Sequence, residues 1–294
     1  MTRRIEKSRM PATLASERGR ALDEFIAAIT TAACCSGGVK VSTFSPSVRL
    51  APFVAKLSIV ETEIEVTRAL LPELAPIAGV RFAGGASEII DGRITRMPGT
   101  SLAGVRGTIR TMRTDGKSGI VLAHFRPGAA PAVFRVPMHE LFGATVALDA
   151  LLGRAVANRL AERVAAATDH ARRVALLDEA LVARIAIDAP DRVIAATVGA
   201  ITQARGIVRI AEVADRVDVG QDPLEKRFRA AVGTSPKHFA TLVRVTHAIQ
   251  LARTGGTLAR VAHAAGYFDQ SHFNRDFRAV TGASPTQFFR AAYC

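Results

Sequence analysis

The sequence predicts an α+β chain that comprises a small β-rich, barrel-like N-terminal domain, a helix pair and an all-α C-terminal domain. Three observations lead to this prediction. Short apolar runs broken by Gly and Pro extend to about residue 148, a helical period follows them, and one sequence unit occurs twice after residue 189. The length of 294 residues also suits two ordinary domains better than one core.

Residues 1–40 are predicted to form a flexible leader. They are basic at first and end near a Ser-Gly-Gly sequence, but they lack the continuous apolar segment of a signal peptide. No window of the chain reaches the roughly 18 apolar residues that a membrane span needs. The three cysteines, Cys34, Cys35 and Cys294, have the spacing of neither a disulfide framework nor a zinc site. We therefore expect a cytoplasmic protein without membrane contact, bound metal or cofactor.

Residues 41–188 are predicted to form the N-terminal domain. Residues 41–148 contain segments such as PIAGVRFAGGASEIIDGR, in which dense Gly and Pro interrupt any 3.6-residue period, so strands joined by tight turns are expected. In residues 149–188, Leu, Val and Ala recur at helical spacing between Arg and Glu, which predicts two helices. The segment from Asp188 to Asp191 combines a Pro with helix-capping Asp residues and predicts the boundary to the C-terminal domain.

Residues 189–294 contain the repeated unit. The first copy, residues 210–239, reads IAEVADRVDVGQDPLEKRFRAAVGTSPKHF, and the second, residues 258–288, reads LARVAHAAGYFDQSHFNRDFRAVTGASPTQF. Each copy has a short helix with a small Ala, a tight turn and a second helix with apolar residues at i and i+4, so two helix-turn-helix units are predicted. The apolar residues expected in their cores are Leu224, Phe228, Phe273 and Phe277.

The second helix of each unit, here called its reading helix, is predicted to expose polar side chains that can bond to base edges. In the second unit these candidates are Gln270, Ser271, Asn274 and Arg275, and in the first they are Gln221, Asp222, Glu225 and Lys226. Between the units, residues 236–253 predict a continuous amphipathic linker helix that stops at Gly255 and Gly256. A rigid linker would hold the reading helices about one turn of DNA apart, roughly 34 Å.

Residues 266–288, GYFDQSHFNRDFRAVTGASPTQF, carry the most specific pattern, with a Gly-Tyr-Phe turn, an Asp-Gln-Ser-His-Phe helix entry and a Gly-x-Ser-Pro close. Through these features the last third of the chain resembles the C-terminal domain of the AraC/XylS family of transcription regulators. The resemblance implies a sequence-specific regulator that reads two successive major grooves of double-stranded operator or promoter DNA. It further implies a sensor and oligomerisation role for the N-terminal domain, with a small-molecule effector, RNA polymerase and a second copy in a homodimer as candidate partners.

The first reading helix departs from the family pattern. Gly220 stands where a Ser N-cap is commoner, Pro223 lies in the first turn, and Asp222 and Glu225 place negative charge on a face that should approach phosphates. An acidic side chain can still accept a hydrogen bond from cytosine. We therefore expect the second unit to dominate DNA affinity.

The charge balance supports a polyanionic partner. The chain has 39 Lys and Arg against 26 Asp and Glu, a net charge of +13, and the basic excess is denser in the C-terminal domain. An excess of this size favours nucleic acid over a membrane surface. Weak salt-sensitive binding without site preference would instead indicate an architectural DNA-binding protein that lacks an effector.

The alternative from another class is an enzyme, or a DNA-repair protein with an appended DNA-binding domain. The sequence contains no nucleophile elbow, Walker sequence or paired carboxylates. The only histidines of the β-rich part, His124 and His139, have no ligand triad around them, and Cys34 and Cys35 lack a methyl-acceptor context. We therefore expect no catalytic residues and no enzymatic activity.

Overall fold

The computed structural model describes residues 38–90, 92–187, 189–253 and 257–292, with residues 291 and 292 described by their backbone alone. Most of the predicted leader, the three cysteines, and the predicted helix stop at Gly255 and Gly256 therefore lie outside the described residues, as does Asp188. In the described part, no helix has both the length and the apolar character needed to cross a membrane.

The N-terminal half is built on two antiparallel sheets. The six-stranded sheet has the order β1-β2-β9-β4-β7-β10, and the four-stranded sheet has the order β3-β8-β5-β6. Consecutive strands therefore often lie in different sheets, so the chain crosses between them repeatedly. The strands within the described residues are β1 Val39–Phe44, β2 Val54–Thr62, β3 Val66–Leu70, β4 Ile77–Ala83, β5 Ala86–Ile90, β6 Arg93–Arg96, β7 Thr100–Ala103, β8 Arg110–Thr114, β9 Ser118–Phe125 and β10 Thr145–Ala147.

Alternation between a buried and a less buried face, which is typical of a half-buried strand, is clearest in β9. In this strand Val121, Ala123 and Phe125 are buried while the residues between them are only half-buried. The first strand begins at Val39, which pairs with Thr62, so the predicted leader ends two residues too late. That boundary depends on pairing with a distant strand, and local sequence patterns do not reveal it.

Helices cover one face of the six-stranded sheet. Leu160 and Leu177 pack with the strand residues Val80 and Val121 in one apolar core. The sequence predicted two helices after the strands, whereas the structure has three, because Gly153 adopts φ +85° and breaks the first predicted helix. These helices are α2 Leu148–Leu152, α3 Arg154–Ala166 and α4 His170–Val182, and they follow a short helix α1 Pro131–Phe134 and a 3₁₀ helix Met138–Leu141.

The C-terminal region is all-helical, which confirms the predicted fold class of a β-rich domain followed by helices. Asp191 caps the first of its helices by accepting hydrogen bonds from the backbone N–H groups of Val193 and Ile194 at 3.0 and 3.2 Å. The linker helix is continuous and has the predicted bounds. In this region the described residues form seven helices, which are α5 Arg192–Gln203, α6 Ile210–Arg216, α7 Gln221–Val232, α8 Pro236–Arg253, α9 Leu258–Ala264, α10 Gln270–Thr281 and α11 Pro285–Ala292.

The two halves are packed against each other and share side chains. Near the first unit, the 3₁₀ helix lies against the end of α7, where a Cβ on Gly233 would come 3.0 Å from the carbonyl oxygen of Met138. Near the second unit, Val105 and Ile109 from the β-rich half lie in the same apolar core as Phe273 and Phe277. The predicted boundary near residue 189 therefore divides the sequence into two parts, but an apolar core contains residues from both of them.

Candidate nucleic-acid interface

The second helix-turn-helix unit consists of α9, a tight turn and the second reading helix α10. The turn depends on Gly266, whose φ of +75° is costly for other residues, and on a hydrogen bond from the Tyr267 N–H to the Ala262 carbonyl at 3.0 Å. Asp269 then caps α10 by accepting from the N–H of His272 at 2.7 Å. These contacts fix where the reading helix begins and which of its faces is exposed.

Aromatic packing holds the buried face of α10. Phe273 and Phe277 are fully buried, with ring centroids 5.4 Å apart. Phe277 also packs edge-on against Phe288 of α11 at 5.3 Å, and Tyr267 packs against Phe273 at 5.1 Å. Burial, together with the nearby carboxylate of Asp276, raises the pKa of Tyr267, so its hydroxyl stays protonated. The reading helix is consequently seated on a rigid aromatic core.

The opposite face of α10 is exposed along its length. All four residues predicted for this face, Gln270, Ser271, Asn274 and Arg275, lie on it and are exposed. They are spaced at i, i+1, i+4 and i+5, which places them on one side of the helix. The structure thus brings the predicted set together, and their contact with bases stays a prediction.

A shallow groove beside this face adds residues that the sequence analysis did not single out. It is lined by Asn274, Arg275, Arg278, Ala279 and Ser284. Within the described residues neither arginine forms an ion pair, so both guanidinium groups remain available to an anion. Arg278 lies three residues after Arg275 and therefore on the same face of a helix. This spacing is the sequence signal that could have identified it.

Phe268 is another residue that the sequence analysis left without a role. It lies in the turn immediately before the cap of α10 and is 98% exposed, whereas its neighbour Tyr267 is 4% exposed. The exposed ring makes no contribution to the core and stands beside the base-reading candidates. The sequence signal that could have identified Phe268 is an aromatic residue at a turn position, where core packing does not require one.

The first unit has the same arrangement with different electrostatics. On its reading helix α7, Gln221, Asp222 and Lys226 are exposed and Glu225 is half-buried, so the predicted residues again share the outer face. Glu225 forms an ion pair with Arg229 at 2.9 Å, one helical turn further on. That pairing reduces the negative charge that Glu225 presents, but it also occupies a basic side chain.

Arg244 of the linker helix bridges the segment before the first unit and the turn of the second unit. Its Nη2 donates to the carbonyl oxygen of Gly206, before the first unit, at 2.6 Å, and its guanidinium lies over the ring of Tyr267 in the second unit at 5.3 Å. A Cβ on Gly266 would lie only 2.4 Å from Ile207, so the turn of the second unit lies close to the segment before the first unit. These contacts tie the turn of the second unit to the segment that precedes the first unit, in addition to the linker helix.

A part-buried Ser–His pair lies in the β-rich half. His124 forms a 2.8 Å hydrogen bond with Ser58, but the pair lies within the six-stranded sheet, and burial lowers the pKa of His124 to about 4, with Lys56 contributing. Across the described ranges no group of three or more His, Cys, Asp or Glu is placed to hold a metal ion.

Comparison with known families finds one match in each half of the chain. Residues 213–291 match a family described as a helix-turn-helix domain, and residues 42–147 match a domain of unknown function, DUF6597. A Streptomyces lividans relative, named as an AraC-like transcription regulator, is 35% identical over 80 residues, which are 27% of this chain and 26% of the relative. The HTH-type transcriptional regulator CdhR of Pseudomonas aeruginosa is 36% identical over 77 residues, 26% of this chain and 23% of its own.

These matches are local in sequence. The aligned part spans about a quarter of the length of both relatives. Among solved structures, ToxT from Vibrio cholerae aligns over 87% of this chain and 98% of its own, with 12% identity and a TM-score of 0.41. The helix-turn-helix match, residues 213–291, contains both reading helices.

Proposed function

We propose that this chain, whose C-terminal region is a helix-turn-helix domain of the AraC/XylS type, is a sequence-specific DNA-binding transcription regulator. The observation that carries the proposal is the pair of similar units on one linker helix, each with its polar reading face exposed. Two such faces suit two segments of one DNA site, because a reading helix enters a major groove through its N-terminal residues.

In this proposal the second reading helix supplies most of the base recognition. Arg275 donates to guanine, and Gln270 and Asn274 bond to adenine, which are the pairings that the edges of these bases favour. Arg278 and the start of α11 bind backbone phosphates and so fix the register of the helix on the duplex. The first reading helix contributes less, because Asp222 faces the same polyanion.

The N-terminal half, residues 41–188, takes the sensor and oligomerisation role, with residues 189–294 as the DNA-binding domain. Its candidate partners are a small-molecule effector, RNA polymerase and a second copy of the chain. A regulator of this kind acts in the cytoplasm and requires no catalytic group.

The experiment that tests the function is selection of bound fragments from random DNA with the purified full chain, at physiological salt. We expect one enriched site with two conserved segments about one helical turn apart. Binding that shows no enriched sequence and collapses as salt rises would contradict the proposal, because non-specific binding is almost entirely phosphate electrostatics.

The selected site then permits a test of Arg275. We expect Arg275→Ala to lose about 1–3 kcal/mol of binding free energy at one base pair and to relax specificity there, as is usual for a bidentate contact. The matched control is Arg154→Ala, which removes the same charge from the exposed start of α3 in the N-terminal half. Equal discrimination by Arg275→Ala and wild type across a substituted site series would refute this assignment.

A further inference from the structure

The segment Gly104–Ile109, here called the insert loop, belongs to the β-rich half in sequence but to the C-terminal region in packing. It connects β7 of the six-stranded sheet to β8 of the four-stranded sheet. Its two apolar side chains, Val105 and Ile109, are 1% and 9% exposed. Both lie in the apolar core of the second helix-turn-helix unit, together with Phe273 of the reading helix.

The insert loop also completes the backbone bonding of the second reading helix. The last four carbonyl groups of an α-helix have no partner within the helix. In α10 one of these, the carbonyl of Val280, accepts a hydrogen bond from the N–H of Ile109 at 3.1 Å. A residue 171 positions earlier in the chain therefore ties down the end of the helix that carries the base-reading candidates.

Buried ion pairs hold the insert loop in place. Arg106 forms an ion pair with Glu88 of β5 at 2.8 Å and donates to Thr145 of β10 at 2.8 Å. Immediately after the loop, Arg110 forms an ion pair with Glu73 at 2.7 Å. The side chains of Arg106 and Glu88 are only 8% and 7% exposed. Such pairs contribute little net stability because of their desolvation cost, but their geometry is narrowly defined.

The middle of the loop is closely confined as well. A Cβ on Gly107 would lie 3.1 Å from the ring of His238 in the linker helix and 3.1 Å from the ring of Phe142. Those two rings pack edge to face with their centroids 5.8 Å apart. The insert loop thus contacts the linker helix and the second reading helix at once, while both of its ends are anchored in different sheets.

We propose that the insert loop is a positioning element of the DNA interface, and that Val105 and Ile109 set the placement of α10 relative to the first reading helix. The inference rests on the proposed function. Since the loop joins the two sheets, a shift of one sheet against the other moves it and changes the placement of the second reading helix. Through this loop the β-rich half acts on the segment of the DNA site that α10 reads.

The test uses the full chain with Ile109→Ala, and Ile59→Ala as the matched control. Ile59 is fully buried in the core of the N-terminal half, so its truncation removes the same atoms without touching the C-terminal region. We expect Ile109→Ala, but not Ile59→Ala, to lower affinity for the selected site about tenfold or more. Base discrimination should be lost only in the DNA segment that α10 reads. The milder change Ile109→Val should keep most of the wild-type affinity.

Hydrogen exchange of the DNA-free chain separates this inference from the proposed function. We expect Ile109→Ala to accelerate amide exchange in the last turns of α10 more than in α7, and Ile59→Ala to affect the two reading helices equally. Unchanged exchange in α10 would overturn the positioning role whatever the chain binds. Faster exchange in α10 without any selected DNA site would instead overturn the proposed function and leave the packing role standing. Equal DNA binding by both Ala variants would also overturn the inference.

Discussion

At the scale of single residues, the exposed ring of Phe268 is the feature of the interface that folding does not explain. An aromatic side chain that is 98% exposed contributes nothing to the core. Extended backbone at Asp269 and the burial of Tyr267 direct the ring away from the protein, beside the start of the second reading helix. On a DNA surface the apolar group that a Phe can contact in the major groove is the thymine methyl.

We therefore expect Phe268→Ala to weaken binding about fourfold, the value of roughly one buried methyl group, at sites with thymine next to the segment read by α10. Replacing that thymine by deoxyuracil should cost the wild type the same factor and cost the variant nothing. Competition titrations of the wild type and the variant, each with the thymine site and the deoxyuracil site, measure the coupling between the ring and the methyl group. Val48→Ala, at a residue that is 94% exposed in the N-terminal half, is the control. Full additivity of the two changes would show that the ring does not contact that methyl.

His124 provides a residue-scale prediction about stability. Its pKa in the folded chain is about 4, below its ordinary value of 6.5, because burial disfavours the charged ring. Between pH 6.5 and 4 the unfolded chain binds a proton that the folded chain does not, so the free energy of unfolding decreases as the pH falls through this range.

We expect His124→Gln to remove this part of the pH dependence, which urea titrations from pH 7 to 4 measure as the difference between wild type and variant. Carboxylates titrate in both proteins and cancel in that difference. A difference that stays constant with pH would contradict the assignment.

At the scale of elements, local signals in the sequence account well for the helices of the C-terminal region. The linker helix has the predicted bounds, and Gly233 and Gly282 end the reading helices at φ values of +107° and +77°. Caps, periodicity and glycine stops act over a few residues, which makes them visible in the sequence. The N-terminal strands were predictable as a class, but their pairing into two sheets was not, because it joins residues far apart in the chain.

The two reading helices differ in charge, and this leads to a prediction for Asp222. Its carboxylate is exposed in the first turn of α7, where it interacts favourably with the helix dipole but repels the phosphates of DNA. We expect Asp222→Asn to increase affinity for DNA about threefold at low salt and less at high salt, as screening predicts. Glu162→Gln, an exposed change in α3, is the charge-matched control for titrations at several salt concentrations. Weaker binding confined to sites with one particular cytosine would mean that Asp222 reads that base.

At the scale of the whole molecule, the sequence suggested two domains with separate cores, and the structure shows cores that cross the boundary. Val105 and Ile109 complete the second unit, and the half-buried Leu74 packs against the cores of both units. This sharing means that the N-terminal half is part of the support for both reading helices, in addition to the sensor role proposed for it.

A core confined to residues 189–294 would let that fragment fold independently and keep its site preference. With the shared core in view, we expect that fragment to be less stable than the same region in the full chain by about 2–5 kcal/mol, the usual cost of emptying a large buried site. Hydrogen exchange should show the larger loss of protection in α10. Equal protection of α10 in the fragment and the full chain would contradict this expectation.

The sequence by itself determined the helix-turn-helix repeat, the bounds of the linker helix and the polar outer faces of α7 and α10. These follow from periodicity and capping, which depend on residues only a few positions apart. Only the tertiary structure decided that Ile109 bonds to the end of the second reading helix, that Arg244 bridges the segment before the first unit and the turn of the second, and that Phe268 is left exposed. Each of these depends on which distant segments fill the space around a residue, and no local period in the sequence encodes that choice.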